Sequence, residues 1–398
     1  MEFKFERIDG LACEEFLYKA IANYFSLDYE LAAIDSWSFA FDSTSGVASS
    51  NEGCFEENLK LFHGLNIDTT IISDHASLHE LIRKIISNND FCMLHSDLYY
   101  IPWSASCYKK RHWGHTVLIT QVTSTGYLCY DFYTFTGEIL PFDCIPKRVG
   151  LSTFSVTIPR RKLNSLLEYK SLLCDTLNKN ISNRQVFLQM EYFSKSLNSS
   201  FNIHEMTRDS KVFENSIFIN SLNRIAQCRF QFALILSYIT RLFPEFDLSE
   251  IENEMRKCAV SWKSITSLLI KSYVLTDNKK IIEKVSNKVL QVRYLEEEIF
   301  TNLLDKLSEP QCMLQPQNKN TVVNSAPFMN PAWKHVDIEQ YFNNKAFGDS
   351  LNTQGAEYEQ GSFLLINSEI QKRFLALNAM EFRLPNYLIC KKDNIVSS

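Results

Sequence analysis

The feature that most constrains this chain is the change of hydrophobic period at Pro159-Arg160-Arg161. Before it, residues 90–100, 115–122, 127–135 and 152–158 are rich in β-branched and aromatic side chains and are bounded by Gly, Pro, Ser and Asp, which predicts strands. The central pair is separated by Thr123-Ser124-Thr125-Gly126, a turn-forming connection that makes 115–122 and 127–135 a hairpin of an antiparallel sheet. After the switch, apolar residues recur at helical spacing as far as Leu307. Helices are also expected ahead of the strands. Leu11, Phe16, Ile21 and Phe25 fall on one face of 11–25, and further helices cover 54–65 and 75–87, the last opening after Ser73-Asp74. Residues 34–41 form an aromatic loop or short strand. Strands set among helices in this way give an α+β layout.

A chain of 398 residues exceeds one ordinary domain. The pattern divides it into an α+β domain over 1–160 and a helical domain over 161–308. A linker rich in Pro, Gln and Asn spans 309–331, and a small β-rich appendage spans 332–398. With 41 basic and 46 acidic residues the charge is nearly balanced, and no basic run tracks a phosphate backbone, so nucleic acid is not an expected partner. Met1–Gly10 mixes charges with aromatics, unlike a signal peptide, and no apolar run is long enough to span a membrane, so a cytoplasmic chain is expected. The 11 cysteines are odd in number and scattered singly, which fits reduced thiols. There is no CxxC pair, so no metal site is expected.

Three residues form an ordered set that can carry chemistry. Cys13 lies in the first turn of a predicted helix, where unpaired N–H groups and the helix dipole favour a thiolate. Glu14 and Glu15 oppose that effect if they face the sulfur. His115, next to Gly114, opens a strand, and Asp131 interrupts the aromatic return strand of the same hairpin, where a buried carboxylate needs a partner. Read singly, each has an ordinary structural role: a core cysteine, a strand-end histidine, an edge carboxylate. Read together they are nucleophile, base and orienting acid, the arrangement that performs acyl transfer through a thioester. Trp37, Phe39, Tyr99, Trp103 and Trp113 either line an apolar substrate groove or pack in the core.

These residues give the chain a resemblance. Cys13 in GLACEEFLYKAIANYF, His115 in GHTVLITQV and Asp131 in YLCYDFYTF resemble the Cys, His and Asp of papain-like enzymes typified by the N-terminal domain of the butirosin-pathway acyltransferase, which are similar to C39-type peptidases. The resemblance covers 8–160 and extends to the segments around Arg224–Ala233 and Val260–Trp262. The chain departs from the peptidases in two places: Arg7, Ile8 and Asp9 stand where an oxyanion-hole Gln is expected, and Glu14 rather than Gly follows the cysteine. It therefore looks more like the peptidase-like, amide-forming enzymes of thiotemplated pathways such as closthioamide assembly. That likeness implies an acyl or peptidyl group carried as a carrier-protein thioester, passed to Cys13 and captured by a small amine, with phosphopantetheine entering only as part of the carrier. The other readings are a cysteine peptidase or thioesterase with the same triad, and a non-catalytic binding protein. In the tail, VDIEQYFNNKAFGD and DNIV look like pieces of a carbohydrate-binding β-sandwich, but too few residues remain to close one, so a structural or docking element is expected.

Overall fold

The structure is a computed structural model. It describes residues 3, 5, 8–50, 55–88, 90–134, 136–181, 185–199, 201–208, 216–275 and 279–308, so the expected linker and β-rich appendage lie outside the described residues. The described architecture is α+β. A six-stranded sheet with every neighbour antiparallel has the order β3 (Leu65–Ile72), β8 (Val149–Val156), β4 (Cys92–Asp97), β5 (Gly114–Val122), β6 (Gly126–Tyr130), β7 (Gly137–Pro141). A two-stranded ribbon, β1 (Ala40–Asp42) and β2 (Val47–Ser49), stands apart from it. The helices are α1 (Cys13–Tyr24), α2 (Phe55–Asn58), α3 (His75–Ser87), α4 (Leu166–Ile181), α5 (Gln185–Ser199), α6 (Ile203–Met206), α7 (Ile217–Leu242), α8 (Ser249–Val274) and α9 (Lys279–Ser308).

The sheet divides the core because alternate strand residues point to opposite faces. Cys92, Leu94, Val117, Ile119 and Leu151 meet Leu78, Ile82 and Ile85 of α3 on one face. Met93 and Leu118 point the other way, into a larger cluster that runs without a break from α1 through α7, α8 and α9. One apolar cluster therefore joins the sheet domain to the helical segment.

The expected hairpin forms, with Val122 paired to Tyr127 and Thr123 closing the turn: its N–H and hydroxyl both donate to the Gly126 carbonyl at 2.9 Å. A side chain at Gly126 would stand 2.2 Å from the Leu140 carbonyl oxygen, so β7 packs closely there. Asp74 caps α3 by accepting from the Ser77 N–H at 2.8 Å.

The strand expected over 152–158 spans Val149–Val156, and three other expected boundaries shift for a clear local reason. The helix expected over 54–65 stops at a π-helical turn, Leu59–His63, because Gly64 takes a left-handed conformation (φ 74) and its missing Cβ leaves room for the Thr157 carbonyl. Leu65–Ile72 then forms β3, a strand the sequence pattern did not single out. The strand expected over 127–135 ends at Tyr130 because Asp131 accepts the Tyr133 N–H at 2.8 Å, closing a turn. The strand expected over 90–100 ends at Asp97, whose carboxylate accepts the Tyr99 N–H at 2.8 Å.

Candidate active site

The site begins with the way α1 starts. Cys13 is its first residue, and Ala12 before it is extended (φ -73, ψ 171). Ala12 has no side chain that can cap the helix. Glu15 does part of that work, reaching back to accept the Ala12 N–H at 2.8 Å. A carboxylate buried to 4% exposure needs more than one donor. The others come from α7: Arg224 donates to Glu15 at 2.6 Å and Gln231 at 2.7 Å, while Gln231 also donates to the Gly10 carbonyl at 3.0 Å. Gly10 is left-handed (φ 96), and a Cβ there would lie 2.5 Å from Phe230 Cβ, so the approach to the helix runs directly over α7. Cys13 is 2% exposed, with Phe132 packed against it and Ala12.

His115 and Asp131 are delivered by the hairpin register. Leu118 pairs with Tyr130, and continuing that register past the strand end brings Tyr133 across from His115, where the two rings stack at 5.1 Å. Asp131 lies between them in sequence and bonds His115 Nε2 at 2.8 Å, with both side chains 0% exposed. Asp131 accepts two further bonds, from Trp103 Nε1 at 2.7 Å and from the Tyr133 N–H. Burial opposes charge on His115, but the Asp131 carboxylate, helped by the nearby Cys13 sulfur, outweighs it and raises the imidazole to about 10. Burial alone would raise Asp131, but His115, with the Tyr133 N–H and Trp103, holds it below the usual carboxylate range. His115 thus commits Nε2 to Asp131. Its Nδ1 makes no hydrogen bond, which leaves that nitrogen to serve a thiol.

The acidic neighbours of Cys13 are both occupied away from the sulfur. Glu15 is bound as described. Glu14 lies 3.2 Å from His95 Nδ1 and accepts from the Tyr18 hydroxyl at 3.0 Å. His95, one residue before the Ser96 that pairs with His115 across β4 and β5, bonds Ser152 through Nε2 at 2.6 Å.

The aromatic residues separate into two groups. Trp37 and Phe39 are buried in the large core: Trp37 Nε1 donates to Glu296 at 2.9 Å, and Phe39 stacks on Trp262 at 5.6 Å. Core packing, rather than a substrate groove, is where the structure places these two. Trp103 acts on Asp131, and Trp113 fixes the approach to β5, its N–H donating to Asp97 at 2.9 Å. Tyr99 stacks on His112 at 4.3 Å.

Sequence reasoning did not assign roles to Glu15, Arg224, Gln231, Phe132 or Tyr133. A signal for the α7 residues was present: Arg224, Gln227, Arg229 and Gln231 interrupt an otherwise apolar helix, and buried polar groups must be paired. Among the described residues, no group of three or more His, Cys, Asp or Glu is arranged to hold a metal, and no helix is long and apolar enough to cross a membrane. Compared with known proteins, the chain matches no family model and no curated sequence.

Proposed function

We propose that the chain is a papain-like cysteine acyltransferase that forms an amide from a carrier-bound acyl thioester and an amine. The observation that carries this reading is the buried His115–Asp131 pair beside a cysteine at a helix start. Cys13 and His115 rest as a thiolate–imidazolium pair, the thiol proton having passed to His115 Nδ1, and Asp131 stabilises that imidazolium. The thiolate attacks the thioester carbonyl, with the Cys13 N–H in the first helical turn, where no intrahelical acceptor exists, available to the oxyanion. The carrier thiol leaves with the proton from His115. The amine then attacks the Cys13 thioester and gives its proton to His115, and the Cys13 thiolate departs, restoring the pair.

Transfer rather than hydrolysis is favoured by the cover that Phe132 places over Cys13, because an acyl-enzyme shielded from water survives until an amine arrives. The test is incubation of the full chain with an acyl-loaded carrier protein, with and without a small primary amine. Amide formation that disappears in Cys13→Ala is the expected result. Hydrolysis that dominates when amine is supplied favours a peptidase or thioesterase, and an unimpaired Cys13→Ala protein removes the mechanism.

A further inference from the structure

We infer that Arg224, a residue of the helical segment, is a positioning residue for the Cys13 nucleophile, acting by neutralising Glu15 at the start of α1. The inference rests on the proposed role of Cys13, but its test can fail separately.

The argument starts from charge. Glu15 is two residues after Cys13 and almost fully buried, and it is held there because it caps the helix through the Ala12 N–H. An uncompensated carboxylate in that place would oppose a thiolate and cancel the advantage of the helix start. Arg224 removes the conflict with a 2.6 Å ion pair in which both side chains are at most 5% exposed. The guanidinium is also held by Gln227 Oε1 at 3.2 Å. The cap keeps its geometry while its charge is balanced from another part of the chain.

Several other charged groups near the start of α1 have partners of their own. His115 and Asp131 face it from the hairpin as an ion pair. Glu14 is engaged by His95 from β4 and by Tyr18. Asp9, on the approach to the helix, lies 4.0 Å from Lys263 of α8. Arg224 is the cation paired with the acid that caps the nucleophile's own helix.

A buried ion pair can also be a purely structural clamp, so the deciding readout is a titration and not a stability. Alkylation of Cys13 by iodoacetamide, followed at its own peptide by mass spectrometry, gives the pH of half-maximal rate in the folded full chain. Arg224→Met should raise that pH by about one unit, a loss of roughly tenfold in rate at neutral pH. Glu15→Gln should lower it, and the Glu15→Gln/Arg224→Met pair should return to within about twofold of the wild-type rate, as expected for a charge effect. Arg224→Lys should keep the half-point. If Arg224→Met does not fold, the opposite shift in Glu15→Gln still decides the matter. Superimposable profiles for the wild type, Arg224→Met and Glu15→Gln would overturn the inference, as would a double variant that stays as far shifted as Arg224→Met. A wild-type half-point in the ordinary thiol range, near 8.5, counts against the nucleophile reading alone, since the shifts between variants are read independently of it.

Discussion

His115 and His95 sit on adjacent strands one register apart, stand beside consecutive residues of α1, and are driven in opposite directions. His115 is fully buried and His95 is 13% exposed, and each has a carboxylate within reach. Burial pushes His95 down to about 4, whereas His115 is raised to about 10. The difference lies in the company each keeps. Asp131 is as buried as its histidine and is fixed as an anion by Trp103 and Tyr133, so its charge acts undiluted on the ring. Glu14 is shared with Tyr18, and His95 is satisfied as a neutral ring, with Nδ1 toward Glu14 and Nε2 toward Ser152. Burial alone therefore makes a quiet structural histidine. Burial beside an equally buried carboxylate, held as an anion by two other donors, makes one that carries a proton at neutral pH.

The most severe way to break this contrast is Asp131→Asn. It should bring His115 down toward His95 and cost about 10³-fold or more in Cys13-dependent acyl transfer, measured as single-turnover acylation. A loss below about tenfold would mean that the carboxylate does not set the state of His115. Trp103→Phe keeps the ring but removes one donor from Asp131. It should slow acylation about tenfold, the scale of one hydrogen bond to a charged group. Phe132→Ala opens the cover over Cys13 and should raise alkylation of Cys13 by roughly three- to fivefold while increasing hydrolysis relative to amide formation, read from product ratios. A ratio unchanged by the substitution would leave Phe132 as packing only.

The smallest effect on activity is expected from His95→Gln, within about twofold of wild type, but it should change how stability responds to acid. His95 is neutral when folded and binds a proton more readily when unfolded, so the unfolded state takes up more protons between pH 6.5 and about 4. Stability should fall as pH drops through that window, and His95→Gln should flatten the fall in urea melts at several pH values. His115 has the opposite sign. Its contribution is fully present below pH 6.5 and is lost as pH rises toward about 10.

Only the His115 half of the contrast could be read in the sequence; His95 was assigned no role there. The hairpin, its turn, and the order of Cys13, His115 and Asp131 followed from periodicity and from one acid misplaced in an aromatic strand. The helical segment after Arg161 was equally plain. What escaped depends on contacts distant in the chain. Glu15 reads as a liability next to Cys13 until Arg224 and Gln231 of α7 are seen to hold it. Trp37 and Trp103 are alike as isolated aromatics, yet Trp37 bonds Glu296 in the core and Trp103 bonds Asp131. The strand Leu65–Ile72 was missed because its role depends on pairing with Val149–Val156, far along the chain.

The central claim is that His115 holds a proton beside Cys13 because Asp131 is there. Histidine-selective ring NMR across pH tests it most directly. In the wild type the His115 ring should be an imidazolium at pH 7.5, titrating near 10, while His95 stays neutral down to about 4. Asp131→Asn should leave His115 neutral at pH 7.5. A neutral His115 at that pH in the wild type, or a charged one that persists in Asp131→Asn, would contradict the account.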